Sequence, residues 1–175
     1  MLRSRLNRRW AIWLLPVVLA LHNLEEGLLF PRYLPRVLGR LPAAMREWIG
    51  PVGSGEMWLA LALATAIPLG FSLWAAVRPS SRAAMWLVLA MWATLLLNAV
   101  WHIVAGLVLF GGYAPGLVTA VALNLPVSVL VVQRAASEQW LSRQALRALV
   151  PAAIVFHLPG ALGLMLWSRA LSGNG

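Results

Sequence analysis

Five apolar runs, each long enough to cross a bilayer, dictate what this chain can fold into. A spanning helix needs about 20 mainly apolar residues. The sequence supplies Trp10 to Phe30, Glu56 to Val77, Ala83 to about Phe110, Gly116 to Val132 and Leu149 to Trp167. Lipid offers no partner for a free backbone N–H or C=O, so such runs must be helical. The expected fold class is all-α: a polytopic integral membrane bundle of about five transmembrane helices, with residues 1–175 as a single membrane domain. Pro31, Pro79, Pro115 and Pro151 fall close to the boundaries, as helix ends require.

Composition agrees with this class and removes others. Hydrophobic residues make up 61% of the chain and charged ones 11%, against about 45–50% and 25% in soluble domains. A net charge of +9 would suit nucleic acid, but the positive charges are all arginines placed between the apolar runs. Membrane topology and anionic lipid headgroups account for them, so no nucleic-acid partner is expected. Without cysteine, neither disulfide nor thiolate chemistry is available.

The arginines also set an orientation. With the N-terminus inside, the inner segments carry Arg3, Arg5, Arg8, Arg9, Arg78, Arg82, Arg134, Arg143 and Arg147. The outer ones carry Arg32, Arg36, Arg40, Arg46 and Arg169. That excess favours a cytoplasmic N-terminus and an external C-terminus. The basic N-terminus and Val18-Leu19-Ala20 resemble a secretory signal, but the apolar run continues to Phe30, so a retained anchor is expected. Leu34, Val37, Leu38 and Leu41 repeat at helical spacing and predict a short interfacial helix ended by Pro42, with a second one from Ser137 to Ala148.

The polar residues inside the runs are the candidates for function. Glu25 and Glu26 sit side by side in the first run, where an ionisable group costs about 2.5–3.5 kcal/mol and marks function by default. In His22-Asn23-Leu24-Glu25-Glu26, the helical turn of about 100° per residue puts Glu25 near −60° and Glu26 near +40° from His22. One imidazole and two carboxylates thus share one helix face, as a metal-binding helix requires. Asn98 and His102, four apart in the third run, stack on one face.

His157, in the fifth run, completes the histidines. Counted from the run ends at 1.5 Å per residue, His22, His102 and His157 lie at depths of about 18, 28 and 12 Å. His22, Glu25, Glu26, Asn98 and His102 are therefore expected to cluster in the outer half, with His157 and Glu56 as weaker members. Tyr113, in the Gly- and Pro-rich turn 111–116, is placed at the outer mouth. Asn124, Pro126 and Ser128 read as structural, with Pro126 opening the backbone.

His22 to Glu26 as H-x-x-E-E, Asn98 to His102 as N-x-x-x-H, and Tyr113 to Gly116 as Y-x-P-G occur in that order over roughly residues 10 to 130. Together they resemble the HXXEE-motif family of bacterial membrane proteins. The resemblance implies an integral membrane protein with a metal or catalytic site and assigns no reaction.

The residues themselves point first to a membrane-embedded, metal-dependent enzyme, a hydrolase or lipid-modifying enzyme. His22, Glu25, Glu26, His102 and His157 are the candidate ligands of a divalent metal, with Zn²⁺ the first choice. Of the two carboxylates, one would bind the ion and the other take a proton from water. Asn98 would orient a ligand or substrate and Tyr113 stabilise an oxyanion. Membrane lipids and an apolar or lipid-like substrate are the expected partners. The alternatives are a cation or proton carrier using the same cluster, a di-iron oxidase, which would want more carboxylates than this chain offers, and a non-catalytic assembly protein.

Overall fold

The computed structural model describes residues 7–40, 42–49 and 53–172. Leu41 of the expected interfacial stripe, and Arg3 and Arg5 of the N-terminal cluster, lie outside them. The described residues form helices and connecting turns. In chain order these are α1 (Arg8–Arg40), α2 (Ala43–Ile49), α3 (Ser54–Val77), α4 (Arg82–Val108), α5 (Leu117–Thr119), α6 (Leu125–Ser137), α7 (Arg143–Arg147) and α8 (Leu149–Leu171). A π-helical turn, Ala120–Asn124, joins α5 to α6. Five stretches are long and apolar enough to cross a membrane: Arg8–Arg40, Ser54–Val77, Arg82–Val108, Leu117–Ser137 and Arg143–Leu171. The chain is an all-helical membrane bundle.

The first helix differs from the sequence expectation. Instead of a span followed by a separate interfacial helix, α1 runs unbroken for 33 residues, about 50 Å at helical rise, so it outlasts a hydrocarbon core of about 30 Å. Pro31 and Pro35 lie inside it. Four residues apart, they share one exposed face, where their rings stay clear of the core.

Packing is densest towards the end of the bundle where α1 begins. Ala11, Leu15 and Val18 of α1 meet Val88, Leu89 and Trp92 of α4 in one apolar cluster with Val131 of α6. Trp92 is fully buried and spends its one donor on the Ala11 carbonyl, 2.8 Å away, as a buried indole must. Further along, α1 and α3 pack at Gly27, where an added Cβ would lie 2.4 Å from the Trp58 ring. The Asn23 amide crosses the same interface to Thr65 Oγ1 (2.8 Å) and the Leu61 carbonyl (3.2 Å).

Two local devices bring the chain back over the far end of the bundle. The turn after α4 folds onto its own helix, with Gly112 donating to the Gly106 carbonyl at 2.7 Å. A Cβ on Gly106 would stand 2.7 Å from the Gly112 oxygen, so this approach requires glycine. Ahead of Pro126, which has no N–H to give, the helix widens: Leu125 donates to Ala120, five residues back. Such π turns are frequent at functional sites, and this one carries the fully buried Asn124.

Candidate functional site

Helices α1 and α4 carry His22, Glu26 and His102 to one point. The His102 Nε2 atom is 3.2 Å from Glu26 Oε1, and His22 Nε2 is 3.9 Å from Glu26 Oε2. The two imidazoles meet edge to face with centroids 4.9 Å apart. One ligand-type atom from each of the three residues lies within 4.8 Å of the others. Both histidines are buried, at 1% and 6% exposure.

Hydrogen bonds fix which atoms face inward. The single proton of Thr119 Oγ1 goes to Glu25 Oε2 at 2.6 Å, the shorter and charge-assisted choice over the Gly116 carbonyl at 3.2 Å. The hydroxyl then offers only lone pairs to His22 Nδ1, 2.9 Å away, so Nδ1 carries the imidazole proton. His22 Nε2 is left as a bare lone pair, and this buried atom has no hydrogen-bond partner.

On the other helix, Asn124 donates to Asn98 Oδ1 (3.3 Å), which turns the Asn98 amide nitrogen towards His102 Nε2 (3.2 Å). That nitrogen's lone pair accepts the Asn98 N–H. One bare imidazole lone pair, a second one held by an amide N–H, and a carboxylate therefore converge, and the bare lone pair beside the carboxylate favours entry of a cation or a proton.

The adjacent carboxylates part company. Glu25 turns away from the histidines and accepts from the Tyr113 phenol, the Thr119 hydroxyl, and the Val118 and Thr119 backbone N–H groups. With four donors on two oxygens it is saturated, and it stands outside the three-residue group. Tyr113 is committed to the same contact. Burial first, and then the Glu25 carboxylate beside it, push its phenol above the ordinary tyrosine range, so it stays protonated at neutral pH.

Gly116 closes the site. It sits at φ +81°, in the left-handed region, and an added Cβ would come within 2.8 Å of both histidine Cε1 atoms and 2.9 Å of Glu26 Cγ.

Of the residues singled out by sequence, His22, Glu26, His102 and Asn98 are brought together. Glu25 and Tyr113 lie one layer out. His157 lines the same cavity as His22 and His102 without joining their group. Glu56, also buried, pairs with Arg169 near the end of α8. Thr119 was not anticipated, although it links Glu25 to His22; a lone threonine in an apolar run gives little sign of such a role. Asn124, read as structural, orients Asn98. The cavity beside the cluster has a volume of about 560 Å³ and is walled by α1, α3, α4 and α8.

Together the spans and the buried His/Glu cluster define a polytopic helical membrane protein with a polar centre inside its bundle. The chain belongs to the family described as "Protein of unknown function with HXXEE motif", which matches residues 13–131. It is similar to the uncharacterized protein YrkK of Bacillus subtilis, with 27% identity over 114 residues, or 65% of this chain and 67% of that one. No solved structure matches.

Proposed function

We propose that the chain is a metal-dependent enzyme of the bacterial cell membrane, hydrolytic or lipid-modifying, in which His22, Glu26 and His102 hold a divalent metal, with Zn²⁺ the best fit. The observation that carries this is the buried, partnerless lone pair of His22 Nε2, beside a second imidazole and a carboxylate that offer ligand atoms at the same point. Tetrahedral zinc with bonds of about 2.0–2.1 Å sets neighbouring ligand atoms about 3.4 Å apart, and the Glu26 contacts of 3.2 and 3.9 Å bracket that spacing. Three protein ligands leave a fourth position open, as catalytic zinc sites do. A bound ion would supply Lewis-acid polarisation and make water acidic enough to ionise near neutral pH.

The remaining residues have separate tasks. Glu25 and Thr119 hold the His22 tautomer, and second-shell contacts of this kind tune metal affinity. Asn98 instead donates to His102 Nε2 itself, the nitrogen that would face the ion, and would give up that contact when the ion binds. His157, on the cavity wall, is positioned to exchange a proton with a substrate held there. The cavity's walls suit an apolar or lipid-like substrate. The arginine distribution supports a cytoplasmic N-terminus.

A proton or cation carrier draws on the same cluster, and the direct His102–Glu26 contact is what a relay would use. A carrier also needs a polar path to both faces. Among the described residues, no ionisable side chain lies in α1 between Trp10 and Leu21 or in α4 between Ala83 and Leu97. A di-iron centre would need more carboxylates than Glu26 alone.

Elemental analysis of the protein purified in detergent tests the reading. One zinc per chain is expected in the wild type and in Glu25→Gln, and less than a tenth of that in Glu26→Gln, His22→Ala and His102→Ala. Equal metal content in Glu26→Gln and the wild type would remove Glu26 as a ligand. A wild type that takes up no divalent metal would overturn the metal reading in favour of the relay.

A further inference from the structure

The cavity is a slot rather than a chamber. Along α4 and the residues just past its end its wall runs from Met91 to Phe110, and along α1 from Leu19 to Val37. At 1.5 Å per residue, the α1 stretch is about 27 Å long. A volume of about 560 Å³ spread over that length averages about 20 Å² in cross-section. The His22–Glu26–His102 group lies part-way along. Beyond it, towards the start of α1, the walls are Leu19, Ile67, Phe71, Met91, Leu95 and Phe156, with Thr94 and, next to Phe156 on α8, His157 as the polar members. Thr94 turns its hydroxyl back to the Ala90 carbonyl of its own helix, 2.8 Å away, and offers nothing to a ligand. From the polar group to its end this deep arm measures about 16 Å along α4, His102 to Met91, and about 5–10 Å along α1, from His22 and Glu26 to Leu19. It therefore reaches at most about half of a hydrocarbon core of about 30 Å, the depth one leaflet's acyl chain occupies.

We infer that the slot takes one straight hydrocarbon chain in its deep arm and holds that chain's polar group against His22, Glu26 and His102, so that the substrate is a long-chain amphiphile bound through a single tail. The inference rests on the reading of the His/Glu group as the reacting centre and adds the substrate class to it. An apolar wall with a few convergent polar groups at one place is how ligand sites of this volume achieve orientation. A bulky ring system would not enter a slot so narrow, and a water-soluble substrate would leave the deep arm with no partner.

The test is competition between a radiolabelled long-chain fatty acid and a graded series of straight-chain fatty acids, on the full chain in detergent, with zinc content measured on the same samples. Affinity should rise with chain length and level off once the chain fills the deep arm. Thr94→Trp narrows that arm without touching the polar group. It should shorten the chain length at the plateau, weaken the longest acids at least tenfold and leave zinc content unchanged. Ile67→Trp, on the opposite wall, should do the same and guards against one variant failing to fold.

Affinity that climbs without a plateau, as simple partitioning gives, would overturn the inference, as would wild-type chain-length dependence in two folded variants. Loss of zinc binding with the plateau intact would overturn the metal reading alone. An unchanged zinc content with no plateau would overturn the single-tail inference alone.

Discussion

At the scale of single residues, the site is governed by which lone pairs are left over. Thr119 has one proton and gives it to Glu25, and the consequence passes through the ring of His22 to its buried Nε2. Gly116 is the residue that cannot be replaced. Alanine there must hold a left-handed conformation, costing about 1–2 kcal/mol, and its Cβ meets His22, His102 and Glu26 at 2.8–2.9 Å. Gly116→Ala should therefore lose metal binding at least tenfold while its helix content by circular dichroism stays at the wild-type level; unaltered metal affinity would show that the turn does not shape the site.

That His22 shares a helix face with the two carboxylates, and Asn98 one with His102, was legible from helical spacing. The division between Glu25 and Glu26 was not. Adjacent residues point about 100° apart, and the partners that draw Glu25 away are residues 113–119, nearly a hundred positions on. Nor was Thr119 legible. Thr94, in an equally apolar run, bonds only to its own helix, and nothing local separates the two.

At the scale of elements, the turn after α4 does the positioning. It delivers Tyr113 to Glu25 and Gly116 to the histidines, and it is anchored by the contact of Gly106 with Gly112. A Cβ at Gly106 would press on a backbone oxygen 2.7 Å away, which no rotamer change can relieve. Gly106→Ala should cost about 1–3 kcal/mol by overpacking, read as a lower unfolding midpoint in detergent, with metal affinity reduced alongside. A variant as stable as the wild type would mean the turn folds back for other reasons.

The five runs were legible because each reaches the range of about 17–25 apolar residues that crossing a bilayer takes. The continuity of α1 through Arg40 was not, because Pro31 and Pro35 read locally as helix stops, and only the exposed side they share makes them tolerable. The depth estimate missed for a separate reason. Counting from the run ends set His22 and His102 about 10 Å apart, yet their rings lie 4.9 Å apart, because the helix ends are not flush.

At the scale of the whole molecule, an odd number of spans puts the termini on opposite faces. Reporters active only in the cytoplasm should give signal when fused before Met1 and none after Gly175. Signal at both ends would require an even number of spans, and signal at the C-terminus alone would invert the orientation.

The central claim is that one ion ties α1 to α4 through His22 and His102. Binding energy at such a site adds to folding stability, and two residues sharing one ion couple strongly. The direct measurement is thermal unfolding in detergent of the zinc-loaded wild type, His22→Ala, His102→Ala and the double variant, each with and without a chelator. The single variants should lose similar amounts of stability, the double variant little more than either, and the chelator should destabilise the wild type alone. Losses that add in the double variant, with no effect of the chelator on the wild type, would contradict it.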